Sequence, residues 1–290
     1  MRDLTDAFVE LIRLASTDLS PDVEEALVAA REREAHGSAA RGAMDSILRN
    51  VNLARQNSTP ICQDTGTPIF YVRHSRDWST RALRDQIRAA VARATARAYL
   101  RPNAVDAISG VNSGNNLGDD AFPTIHFEET EDETLTVDLM LKGGGCENVG
   151  AQYSLPNRAL GAGRDLEGVR KVALDAVFKA QGKGCAPGIL GIAVGGDRGS
   201  SYAASKEVLL RKLDEPNPVD ELGQLEERLN SEASQLGIGP MGFGGETTVL
   251  GVKICGMHRL PASYFVSVSY MCWAYRRRRM IVRGDEVIYE

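Results

Sequence analysis

The chain has 290 residues, of which 43% are apolar and 25% charged, and its formal net charge is -5. That balance is the one found in ordinary folded domains and excludes a low-complexity or disordered chain. Net acidity argues against a nucleic-acid binder, which needs a basic face, and no run of about 18 apolar residues offers a membrane span.

Single cores stop growing at roughly 250 to 300 residues, so one compact unit over 1–290 is expected, with a helical portion over 1–58. The opening "MRDLTDAFVELIRLAS" places Asp3, Asp6 and Glu10 at helical spacing, unlike a signal peptide, and predicts a cytoplasmic protein. The cysteines are Cys62, Cys146, Cys185, Cys255 and Cys272, an odd set without a C-x-x-C pair. In a reducing compartment each is a small buried hydrophobe, a ligand or a nucleophile.

Apolar positions at Leu4, Phe8, Leu11 and Ile12 predict a first helix over 4–15. A second opens at Ser20-Pro21, a third covers about 38–55 and a fourth about 79–99, starting at Ser79. Between the last two lies the strand-like "PICQDTGTPIF". From residue 122 the period changes: "PTIHFEE" and "ETLTVDLMLK" read as strands joined by an acidic turn. "KGGGCEN" follows, then a helix near 166–181 and a buried strand from Ile189 to Val194 between glycine-rich turns. Helices near 201–212 and 218–236 lead to a final series of strands in "ETTVLGVKI", "SYFVSVSY" and "RMIVRG". The order predicts an α+β (mixed α/β) fold, a helical N-terminal part packed on a mixed β-sheet with flanking helices.

Several stretches have the composition of a reactive site. "KGGGCEN" and "VGGDRGSS" can turn backbone N–H groups toward an anion, yet neither matches a nucleotide-binding fingerprint. "NSGNNLGDD" is as suited to side-chain-bonded turns as to metal ligation through Asp119 or Asp120. His36, His74, His126 and His258 lack zinc-enzyme spacing. The run Arg276–Arg279 reads as a solvated charge stretch, with an anion or acidic partner as the alternative. Arg101 follows a long helix and reads as a solvent-exposed helix-end arginine, with a bidentate clamp on a carboxylate as the alternative. Cys62, Cys185 and Cys272 lie at strand or turn edges beside polar, Gly or Pro residues, whereas Cys255 reads as core and Cys146 lies inside the glycine turn.

In this order, "PICQDTGT", "LRPNAVD", "NSGNNLGD", "KGGGCEN", "CAPGILGIAVGG" and "LGIGPMGFGG" resemble the iron-sulfur-dependent class I fumarase family, over about residues 40–285. In that family the same region is an N-terminal domain or a separate α subunit, as in L(+)-tartrate dehydratase. The resemblance implies a 4Fe-4S cluster with one open iron, held by Cys62, Cys185 and Cys272. It assigns substrate binding to Gln63, Asp64, Arg101, Gly145 and Asn148, and proton handling to Asp64. Family members carry a histidine where this chain has Leu260; His258, two residues earlier and expected on the same strand face, is the catalytic substitute the sequence offers. The implied reaction is reversible hydration of a C4 dicarboxylate, fumarate to malate first, with tartrate dehydratase or mesaconase as alternatives. A separate β subunit is implied as the partner completing the site, with neither nucleic acid nor membrane involved. A non-catalytic iron-sulfur or zinc-binding assembly subunit, or a scaffold with incidental cysteines, would share the cysteines without the chemistry.

Overall fold

The computed structural model describes residues 2–119 and 122–290. Helix α1 (Thr5–Thr17) turns Phe8, Leu11, Ile12 and Ala15 inward on one stripe, as the sequence period demands. Helix α2 (Pro21–Arg33) begins on its proline, with Asp22 and Glu24 in the first turn and Arg31 and Arg33 in the last, each opposing the helix dipole. Helix α3 (Ala39–Asn57) precedes strand β1 (Thr67–His74). Helix α4 (Thr80–Ala96) is capped by Ser79, whose hydroxyl accepts the Ala82 N–H at 3.3 Å.

Strands β2 (Thr124–Glu129) and β3 (Leu135–Lys142) come next, and β3 runs into the five-residue helix α5 (Gly144–Asn148), where the sequence reads only as a glycine turn. Strand β4 (Ala151–Ser154) leads to α6 (Leu166–Ala180), capped by Asp165, and a 3-10 turn, Gln181–Gly184, precedes β5 (Gly188–Val194). Helix α7 (Arg198–Glu207) opens with a capping box between Asp197 and Ser200, and α8 (Asp220–Ser234) follows. The last strands are β6 (Val249–Gly256), β7 (Phe265–Met271), β8 (Arg277–Arg283) and β9 (Glu286–Tyr289). The short β4 and β9 escape sequence reading because four residues are too few to display a period.

Contacts divide the chain into two compact units. The first comprises Met1–Ser20, Arg49–Gly144 and Arg276–Glu290, and the second Pro21–Leu48 and Gly145–Tyr275. The mixed α/β class is as expected, but the strands form two sheets.

In the first unit the order is β2-β1-β3-β8-β9, with β1 and β2 parallel and the other pairs antiparallel. Central β3 is almost wholly buried. Phe8, Ile12, Phe70, Leu83, Ile87, Leu139 and Met280 are fully buried in one cluster between the sheet and helices α1 and α4. Each such side chain contributes about 1.5–3 kcal/mol. Asp138, 4% exposed on β3, is paired across both neighbouring strands, with Arg73 at 2.7 Å and Arg279 at 2.6 Å. The arginine run is therefore not a solvated stretch. Arg276 and Arg277 are buried, Arg277 donates to Ser20 Oγ at 3.2 Å, and Arg278 pairs with Asp18 at 2.8 Å.

In the second unit the order is β4-β7-β5-β6, with β5 and β6 parallel and β7 antiparallel to both β4 and β5. Every residue of β5 is buried, which explains its continuous apolar sequence. Helices α6 and α8 supply Val169, Val172, Leu225 and Leu229 to the core. Helix α7 is fastened to β7 by Ser201–Ser267 and Ser205–Ser269 hydroxyl pairs at 2.8 and 2.7 Å.

Candidate active site

Each unit holds one group of the expected site residues. In the first, Cys62, Gln63 and Asp64 occupy the irregular loop between α3 and β1. Its entry is fixed by Ile61, whose N–H donates to the Ser16 carbonyl at 3.0 Å and whose carbonyl accepts Asn50 Nδ2 at 2.8 Å. Asp64 organises the turn: Oδ1 accepts the Gly66 N–H at 3.0 Å, Oδ2 the Gly144 N–H at 2.8 Å, and its backbone carbonyl a donor from Arg276 Nη1. Gly66 has φ +78, and a Cβ there would lie 2.8 Å from the Leu141 backbone carbon. Only glycine lets the loop lie so close to the end of β3.

Thr65, fully buried, links this loop to Arg101. Its hydroxyl accepts the Arg101 N–H at 3.0 Å and Asn103 Nδ2 at 3.1 Å. Buried Asn116 accepts the Asn103 N–H at 2.6 Å and donates to the Arg101 carbonyl at 2.5 Å, so the asparagine-rich stretch serves as a turn scaffold. Arg101 Nη1 donates to the Gln63 carbonyl at 3.2 Å, and both side chains are exposed. The structure thus brings Gln63, Asp64 and Arg101 together. Asp119 offers its backbone carbonyl to Arg88 at 3.2 Å, and Asp120 lies outside the described residues.

The second group gathers at one end of the other sheet. Cys185 precedes β5 in a left-handed conformation, φ 54 and ψ 62, and its carbonyl accepts the Trp273 N–H at 3.3 Å, beside Cys272 at the end of β7. Gly184 and Gly188 flank it, and a Cβ on either would lie 2.5 or 2.2 Å from the Tyr270 ring. The Met241 N–H reaches the Ala186 carbonyl at 2.7 Å, which docks "LGIGPMGFGG" onto the same turn. The Tyr270 phenol is held well above the ordinary tyrosine range, first by burial, then by the charges of Cys146, Cys272 and Cys185. Cys146 therefore shares this neighbourhood, which its sequence context alone does not reveal. Exposed Gly145 is the second residue of α5, with its Cβ position 3.8 Å from the Lys183 carbonyl, and Asn148 ends the helix, also exposed.

Cys255 stands apart on β6, half-buried rather than in the core, and burial pushes its thiol up to about 11. His258 is not brought to the cysteine turn. Strand β6 ends at Gly256, so no strand face relates His258 to the 74% exposed Leu260. The register sets Gly188 beside Val249 and Val194 beside Gly256. His258 therefore follows the far end of β5 and β6 from Cys185, roughly 20 Å away at the strand rise.

Among the described residues no three His, Cys, Asp or Glu side chains are gathered to hold a metal ion. The donor chemistry at the cysteine turn nevertheless fits an iron-sulfur group: the soft thiols of Cys185 and Cys272 stand on segments joined by the Cys185 carbonyl and the Trp273 N–H at one end of a sheet. Sequence reading missed Thr65, Asn116, Tyr270 and Arg276. Thr65, Asn116 and Arg276 lie inside stretches the sequence singles out, "CQDTG", "NSGNNLGDD" and the arginine run, whereas Tyr270 lies in a plain strand run.

This arrangement, one mixed sheet presenting the Asp64 loop and another the Cys185 turn, defines a mixed α/β protein with two sets of polar or thiol groups. Residues 5–281 match the family model described as fumarate hydratase (Fumerase), and the chain belongs to that family. A Geobacillus stearothermophilus protein provisionally named fumarate hydratase class I is 48% identical over 96% of this chain and 54% of its own length. This chain thus spans about half of that relative. A Methanocaldococcus jannaschii protein provisionally named L(+)-tartrate dehydratase subunit alpha is 33% identical over 97% of this chain and 98% of its own. The L(+)-tartrate dehydratase subunit alpha of Escherichia coli K12 is 30% identical over 97% of this chain and 91% of its own. No helix among the described residues is long and apolar enough to cross a membrane.

Proposed function

We propose that residues 1–290 act as the α-type part of an iron-sulfur hydro-lyase that reversibly hydrates a C4 dicarboxylate, fumarate to malate first. The observation that carries this reading is the Asp64 loop: a carboxylate fixed by the Gly66 and Gly144 N–H groups, beside exposed Gln63 and Arg101. Cys62, Cys185 and Cys272 would hold a 4Fe-4S cluster, which when bound supplies a Lewis acid for the hydroxyl or water. The Arg101 guanidinium binds a substrate carboxylate, and the Gln63 amide with the Gly145 and Asn148 donors orients the other end. Charge developing on the carboxylate during proton removal is stabilised by the Arg101 guanidinium and these same N–H groups. Proton handling is assigned to Asp64 rather than His258, because His258 follows the opposite end of the sheet from Cys185.

Tartrate is the second substrate reading, favoured by the near full-length correspondence with two proteins named as α subunits. That correspondence also supports a separate β chain as partner, and thiols kept as ligands suit the reducing cytoplasm. The test is iron and acid-labile sulfide per chain after anaerobic reconstitution, followed by fumarate and tartrate turnover with the β partner. About four of each per chain with fumarate hydration is the expected result. Zinc without sulfide would establish the assembly-subunit reading instead, and tartrate turnover without fumarate hydration would make tartrate the substrate.

A further inference from the structure

Arg276 is 1% exposed and among the largest fully buried side chains of the chain. Its backbone carbonyl accepts the Leu141 N–H at 3.0 Å, which fixes it beside β3, and Nη1 donates to the Asp64 carbonyl. Nε has no hydrogen-bond partner among the described residues. Burying a guanidinium with a donor unmade opposes folding, and a methionine or leucine would fill the space without that penalty. Packing therefore does not account for an arginine here. What the guanidinium does that an alkyl chain does not is hold the Asp64 peptide.

We propose that Arg276 is the positioning residue for Asp64. The carboxylate is held by the Gly66 and Gly144 N–H groups at one end of the residue, and the carbonyl by Arg276 at the other. With both ends tied, the carboxylate keeps one orientation before substrate arrives. Preorganisation of this kind matters because small misplacements of a reacting group cost roughly a hundredfold in rate. The proposal rests on the reading of Asp64 as the proton-handling group.

The experiment is hydrogen exchange on the full chain, wild type against Arg276→Gln and Arg276→Lys, with turnover measured in complex with the β partner. In Arg276→Gln the Gly66 and Gly144 amides should exchange about tenfold faster while Val137 and Leu139 on β3 keep their protection. In the complex, kcat should fall roughly 10- to 100-fold with KM little changed, and Arg276→Lys should recover part of both effects. Unchanged exchange at Gly66 and Gly144 would overturn the proposal, as would equal loss at Val137 and Leu139, which marks a merely structural residue. Should Arg276→Gln fail to fold, Arg276→Ala with added methylguanidinium decides: protection that rises with the additive supports the proposal, and protection indifferent to it refutes it. If wild type hydrates nothing while the exchange result holds, the hydro-lyase reading falls and the positioning of Asp64 stands.

Discussion

The Asp64 loop of the first unit and the Cys185 turn of the second are immobilised by different physics. The loop is tied by side-chain hydrogen bonds, from Asp64 to two glycine N–H groups and from Thr65 to Arg101 and Asn103. The turn is shaped by steric contact, glycine backbones pressed on the Tyr270 ring. Away from the close approach at Gly66, the hydrogen-bonded loop tolerates small volume changes and fails when a donor or acceptor is removed. Close-packed geometry does the reverse.

Four experiments break or sharpen that contrast. The largest effect is expected from Cys185→Ser, which should bring iron and labile sulfide near background while Cys255→Ser retains both; equal retention in the two would remove Cys185 from the ligand set. Next is Gly188→Ala, whose Cβ would lie 2.2 Å from the Tyr270 ring. Overpacking there should cost about 3 kcal/mol, the upper part of the usual range. Urea unfolding followed by Trp273 fluorescence in a Trp78→Phe background reads the second unit, and Tyr270→Leu should recover much of the loss through coupling of the touching pair. Full loss in the double variant would show that Tyr270 is not the obstacle.

Thr65→Val, nearly isosteric, should cost about 1–3 kcal/mol by leaving the Arg101 N–H and the Asn103 amide without their acceptor. Trp78 fluorescence in a Trp273→Phe background reads that unit, and a neutral result would mean water replaces the hydroxyl. The smallest effect concerns Cys255, whose thiol is raised from an ordinary 9.0 to about 11 by burial. Because the folded value is the higher one, its contribution is constant below pH 9.0 and is lost as pH rises toward 11. Cys255→Ala should flatten that part of the stability profile, and an unchanged slope would assign it to other groups.

Much of the fold was legible because local rules agree with the outcome. The stripe Phe8–Leu11–Ile12, the Ser79 cap and the continuous apolar run of β5 each name their element without reference to anything distant. The arginine run was misread for the opposite reason: four like charges look solvated in sequence, while Asp18, Ser20, Asp64 and Asp138, which bind them, lie far away along the chain. His258 was placed by strand alternation, which fails once β6 ends at Gly256.

The sequence by itself determined the elements with a clear period and, through ordered motifs, the family. Tertiary structure alone decided that the strands form two sheets, that Cys146 shares the surroundings of Cys185 and Cys272, that Asp64 is held from both ends, and that His258 follows the far end of its sheet. Periodicity and capping act within a few residues and are written locally. Register and burial arise from contacts between segments distant in the chain, which no local pattern encodes.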